Sequence, residues 1–141
     1  MAVRPMYESA NDRVNETNVV SIIAPKWKCE AKKLPTSYFI DWVLMRDGKA
    51  AAFMEVKCRK NLKSKYPTLM LSLAKWMHGQ QFAQAANVPF FVAVEWEDGI
   101  FWHKAGDVPV TIGFGGRVDR GDDQDMEPVV FIPVAAFKRA A

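Results

Sequence analysis

The stretch YFIDWVLMRDGKAAAFMEVKC, Tyr38 to Cys58, decides the fold. Its first part, Tyr38 to Met45, is a nearly continuous run of apolar β-formers broken only by Asp41, which predicts a strand with both faces covered. Asp47 and Gly48 then give a hairpin signal, and Ala50 to Cys58 supplies the returning strand. On the N-terminal side, Leu34 and Pro35 mark a break, Lys26 to Lys33 reads as a short strand, and Tyr7 to Ala24 fits a helix stopped by Pro25. Val19, Val20 and Ile23 form the apolar face of that helix, and Glu16 falls on the same face, an unusual place for a carboxylate. On the C-terminal side, Arg59 to Lys65 is a basic loop, and Thr68 to Asn87 reads as a helix with Ser72, Lys75, Gly79, Phe82 and Ala86 along one stripe. Val88 to Trp96 is a buried strand, Asp98 and Gly99 reverse the chain, and Ile100 to Lys104 pairs back. The order helix, three strands, helix, strand, strand implies an α/β fold with a mixed central sheet flanked by helices, the crossover into Val88 to Trp96 being parallel and right-handed.

The 141 residues suit one domain, 1–141, with a core at about 7–104 and a C-terminal extension over 105–141 that ends in an apolar strand at Val129 to Val134. A net charge of +3 permits a polyanionic partner without demanding one. No apolar run reaches the roughly 20 residues that a bilayer requires, and Met1 to Arg13 lacks the apolar segment of a secretory signal, so cytoplasmic work without a membrane is expected. Two cysteines, Cys29 and Cys58, build neither a disulfide framework nor a multi-cysteine zinc site.

Three ionisable residues occupy strands that have no apolar reason to contain them: Asp41, and Glu55 with Lys57 on the neighbouring strand. Burying an unpaired carboxylate is costly, and a cation is the partner that suits two carboxylates at once. Oxygen ligands without a cysteine cluster point to Mg²⁺ or Mn²⁺ rather than zinc. Strand pairing imposes a condition on this reading. A regular two-residue hairpin over Asp47 and Gly48 would set Asp41 opposite Met54 and turn Glu55 to the other face. A shared site therefore predicts an irregularity, either a β-bulge or an odd-length loop such as a three-residue turn with Gly48 left-handed.

An Asp in one strand followed by Glu-X-Lys in the next, between two helices, resembles the PD-(D/E)XK nuclease superfamily. Here the matching residues are Asp41 and Glu55-Val56-Lys57, in an αβββαβ order with a restriction-endonuclease-like core. The chain is similar to small phage and bacterial members of the VRR-Nuc and Holliday-junction-resolvase type, although Ile40 replaces the literal proline before Asp41. The resemblance implies that Asp41, Glu55 and the Val56 carbonyl hold a divalent metal and that Lys57 orients the attacking water. It implies a further acid from the first helix, best matched by Glu16 with Glu8 as the alternative. It also puts Ser72 and Lys75 where relatives carry polar active-site residues on the second helix. A second triplet, Glu30-Ala31-Lys32, has Asp12 upstream but in a helix and among polar neighbours, and is read as a decoy.

The resulting expectation is a Mg²⁺- or Mn²⁺-dependent endonuclease that hydrolyses duplex or branched DNA in phage or bacterial recombination, repair or restriction. Two rivals are a catalytically inactive nucleic-acid-binding or scaffold protein on the same fold, and a metal-dependent hydrolase of a small substrate. Arg59, Lys60, Lys63 and Lys65 follow the candidate site at once and are placed to contact flanking phosphates, or else form a solvated loop. Double-strand cleavage or junction resolution by so small a domain calls for two copies, hence a homodimer. The tryptophans read mostly as core. His78 and His103 read as surface or packing residues, and Cys58 as a buried thiol. The acidic run Asp119 to Glu127 lacks EF-hand spacing, and Gly113 to Gly116 does not open a helix, which leaves Arg117 and Arg120 as weak candidates for DNA contact.

Overall fold

A computed structural model describes residues 10–116 and 126–141. Helix α1 covers Ala10–Lys26, followed by strands β1 (Glu30–Lys33), β2 (Trp42–Arg46), β3 (Lys49–Cys58) and β4 (Thr68–Ser72). Helix α2 covers Leu73–Ala86, and β5 (Phe90–Trp96), β6 (Gly99–Lys104), β7 (Thr111–Gly116), β8 (Met126–Pro133) and β9 (Lys138–Arg139) complete the chain. The main sheet has the order β1-β2-β3-β5-β6-β9, and a smaller sheet has the order β4-β8-β7. Among the described residues only β3 and β5 run parallel, joined by the crossover through α2, so the central sheet is mixed as the sequence implies.

The two faces of the main sheet bury different cores. On one, Val19, Val20 and Ile23 of α1 pack on Trp42, Leu44, Met54 and Val56. On the other, Trp76 and Ala83 of α2 meet Phe90, Val92 and Val94 together with Leu69, Leu71, Val130 and Ile132 of the smaller sheet. Alternation along β3 therefore sends Met54 and Val56 toward α1, and Phe53, Glu55 and Lys57 toward α2. Helix α2 lies so close to β5 that a β-carbon on Gly79 would fall 2.4 Å from the Phe90 ring. Among the described residues no helix is long and apolar enough to cross a membrane.

Several boundaries differ from the sequence reading. Helix α1 runs one residue past Pro25, because proline lacks only its own donor while the Trp27 N–H still returns to the Ile23 carbonyl at 3.1 Å. The run beginning at Tyr38 is not strand throughout: Thr36–Tyr38 forms a 3₁₀ turn ending in Phe39 with φ +64°, and β2 starts only at Trp42. Asp41 thus stands just ahead of its strand. Thr68–Ser72 is strand rather than helix, because it pairs antiparallel with β8, a partner from the far end of the chain. The C-terminal third is woven into both sheets, through β8 beside β4 and β9 beside β6. Gly113 to Gly116 belong to β7. Glu8, Arg117, Arg120 and the aspartates of the acidic run lie outside the described residues.

Candidate active site

The hairpin contains the irregularity that a shared site needs. Its turn is the tight two-residue form, with Asp47 at φ +53° and Gly48 at φ +76° and Arg46 paired to Lys49, not a three-residue loop. The register then shifts: Met45 faces Ala50 but Leu44 faces Ala52, so Ala51 is the extra residue of a bulge. Trp42 consequently opposes Met54, and one step further Asp41 comes level with Glu55.

Strand β3 continues past the end of β2, and Asp41 fills the edge left open there. Its Oδ2 accepts a hydrogen bond from the Val56 N–H at 3.1 Å. In a strand the N–H and C=O of one residue point to the same edge, so the Val56 carbonyl faces the same opening as the Asp41 carboxylate. Ile40, buried in the α2-side core, anchors the segment from behind.

Glu55 is the most deeply enclosed acid of the group. Lys75 of α2 donates to its Oε1 at 2.7 Å, and the Lys57 Nζ lies 3.6 Å from the same oxygen. Its Oε2 is buried without a hydrogen-bond partner. Burial, and then the charge of Asp41, push the Glu55 carboxyl up to about 7 against the pull of Lys75 and Lys57. Burial also resists charge on Asp41, yet Lys75, Lys33, the Val56 N–H and Lys57 outweigh it and hold that carboxyl below its ordinary range. Burial pushes the Lys57 amine down despite Glu55, whereas Lys75, though also buried, is held protonated by Glu55 and Asp41.

Glu16 reaches this group through an intermediary. Lys33, at the end of β1, places its Nζ 3.2 Å from Glu16 Oε1 and 3.5 Å from Asp41 Oδ1, bridging the helix acid to the strand acid. Sequence reasoning missed Lys33, because in Lys26 to Lys33 it is one of several lysines and carries no signal of its own. Its pairing opposite Trp42, next in sequence to Asp41, is what brings it in.

Ser72 is not on the helix but caps it, its hydroxyl accepting from the Lys75 N–H at 3.4 Å; this fixes the first turn that carries the Lys75 side chain. The basic loop divides. Arg59 donates to the carbonyls of Cys58 and Met70, and the Lys63 Nζ lies 5.1 Å from the Phe101 ring centre, so both are engaged by the protein, while Lys60 and Lys65 are exposed, Lys65 lying 5.4 Å from the ring centre of the exposed Tyr66. Trp42, Trp76, Trp96 and His103 are core residues.

Among the described residues no three His, Cys, Asp or Glu side chains stand close enough to form a metal cluster by themselves. The donors present nonetheless fit a hard divalent cation: two carboxylates level across a hairpin, a carbonyl at the same edge and an orphaned buried oxygen on Glu55. Lys33, Lys57 and Lys75 supply counter-charge around them.

A family model described as "Phage putative PDDEXK endonuclease" matches residues 2–140. Among solved structures, the Holliday junction resolvase Hjc of Archaeoglobus fulgidus, an archaeal hyperthermophile, is similar in fold at 17% identity and a TM-score of 0.57, with 87% of each chain covered. No curated protein sequence matches.

Proposed function

The chain belongs to the phage PDDEXK endonuclease family, and from that premise we propose that it is a divalent-metal-dependent deoxyribonuclease whose site is Asp41, Glu55, Val56 and Lys57. The observation that carries this reading is the Ala51 bulge, which brings Asp41 level with Glu55. Asp41, Glu55 and the Val56 carbonyl would hold Mg²⁺ or Mn²⁺, with Glu16, tied to Asp41 through Lys33, as the further acid. Bound there, such an ion neutralises phosphate charge and acidifies water.

The chain's own residues do the rest. Lys57 shares the face of Glu55 by the two-residue period and carries an amine whose proton is loosened by burial, suiting it to hold and deprotonate an attacking water beside the phosphate. Lys75 stays charged and fixes Glu55 Oε1, which leaves Oε2 to face the site. Exposed Lys60 and Lys65 offer flanking phosphates an electrostatic guide. Cutting both strands, or resolving a junction, would take a homodimer.

Incubation with supercoiled, linear, single-stranded and branched DNA in Mg²⁺, Mn²⁺ or EDTA tests this. Cleavage that EDTA and Asp41→Ala both abolish is expected. Binding without cleavage in either metal would instead assign a nucleic-acid-binding protein on a nuclease fold.

A further inference from the structure

The segment that carries Asp41 into place also holds two large rings at the surface. Tyr38 is 47% exposed and Phe39 39% exposed. Phe39 adopts φ +64°, a left-handed conformation that disfavours any β-carbon and that Gly or Asn would accept far more readily. Helix α2 backs both rings. Phe39 lies parallel to the His78 imidazole, with centroids 4.9 Å apart and planes 10° apart, and Tyr38 stacks on Phe82 at 5.9 Å and 26°. Lys75, His78 and Phe82 follow one another at helical spacings of three and four, so they share a stripe. At a rise of about 1.5 Å per residue, the His78 pair lies about 4.5 Å and the Phe82 pair about 10 Å along the axis from the lysine that touches Glu55. The aromatic wall therefore begins beside the acidic pocket.

We propose that Phe39, backed by His78 and flanked by Tyr38, stacks on an unpaired nucleobase next to the scissile phosphate, so that the enzyme favours DNA with unstacked bases over continuous duplex. The inference rests on the nuclease reading above. Flat exposed rings suit a π-faced ligand, and Lys33 and Lys75 beside the adjoining carboxylates suit that ligand's phosphates. A nucleotide combines both features, whereas an apolar protein partner has no use for the cations.

Phe39→Gly separates this role from packing, because it deletes the ring while relieving the backbone. Its thermal midpoint is expected to equal or exceed that of the wild type. Binding is measured with Ca²⁺ in place of Mg²⁺, using a single strand carrying 2-aminopurine and a blunt duplex. The wild type should quench the 2-aminopurine. Phe39→Gly should lose the quenching and bind the single strand about tenfold more weakly, with duplex affinity within about twofold, and Phe39→Trp should restore both. Equal weakening on both DNAs, or unchanged quenching in Phe39→Gly while the wild type still cleaves in Mg²⁺, overturns the stacking role and leaves the nuclease standing. Loss of a dimer in Phe39→Gly on size exclusion, with quenching kept, makes the rings a subunit interface and also overturns it. A wild type that cleaves no DNA in Mg²⁺ or Mn²⁺ removes both readings.

Discussion

The molecule contains the Glu-X-Lys pattern twice, and the two copies behave differently. Glu30-Ala31-Lys32 lies on β1 at the sheet edge, and its ions stand 3.5 Å apart with side chains 75% and 58% exposed. Glu55-Val56-Lys57 lies on β3, between β2 and β5, and its ions stand 3.6 Å apart with the glutamate side chain only 1% exposed. The local pair geometry is nearly identical. What differs is the surroundings: water screens the first pair to near irrelevance, whereas the second sits in a low-dielectric interior beside Asp41 and Lys75, where each charge alters the others. The two triplets are thus distinguished by their strands' places in the sheet and by the residues that other elements bring to them.

The hardest test of that contrast removes one acid from the inner site. Asp41→Ala and Glu55→Gln are each expected to lower the DNA cleavage rate by about a thousandfold or more, the scale of losing transition-state charge stabilisation. Single-turnover assays in Mg²⁺ measure it. Cleavage surviving either change within tenfold would mean that the inner triplet is as idle as the outer one.

The next effect is smaller and has a distinctive form. Lys75 opposes the rise in the Glu55 pKa, so Lys75→Met should carry that carboxyl further above 7. Activity at neutral pH is expected to fall about 10- to 100-fold, with part of the loss recovered at higher pH as the acid limb of the rate profile moves alkaline. A uniform loss at every pH would make Lys75 a packing residue only.

Stability without metal gives a third measure. The folded Glu55 pKa of about 7 lies above its ordinary 4.5, so the folded state favours the protonated acid. Its contribution is intact below about pH 4.5 and is lost as pH rises through 7. Near pH 8 in EDTA, Glu55→Gln should therefore be more stable than the wild type by up to roughly 3 kcal/mol, with the gap closing toward pH 4.5. Asp41, whose pKa is depressed, contributes with the opposite sign, but it does so in both proteins and cancels. Excess Mg²⁺ should reverse the order at pH 8, because only the carboxylate form binds it. Denaturant titrations across pH supply the measurement.

Much of this contrast was legible in the sequence. The apolar flanks of Asp41 and Glu55, the Asp47-Gly48 turn and the following helix separated the inner triplet from the outer one, and parity along the strands demanded an irregularity, either a bulge or an odd-length loop. Its form was not legible, because a run of alanines from Ala50 to Ala52 offers no preferred place for an extra residue. Nor was the strand character of Thr68–Ser72, whose partner is supplied some 60 residues later by β8. Lys33 escaped for a related reason: its place between Glu16 and Asp41 is set by pairing to Trp42 and by the arrival of Glu16 from α1, and no local pattern encodes either.

The smallest expected effect falls on the outer pair and is the one that gives the comparison its meaning. Replacing Glu30 and Lys32 together by Gln keeps polar side chains on β1 while removing both charges. Exposed ion pairs contribute little after solvent screening and the entropy of ordering two long chains, so stability should change by less than about 0.5 kcal/mol. Cleavage should stay within about twofold of wild type, and the pH dependence of both quantities should be unaltered, since both side chains are largely exposed and their charges are screened by water. The double variant is best measured beside Glu55→Gln under the same buffers, because Lys33 is the neighbour of Lys32 and a displaced β1 would loosen its bridge between Glu16 and Asp41. A drop in activity with stability unchanged would show that the edge strand's charges reach the pocket through Lys33, and the separation between the two triplets would then be one of degree.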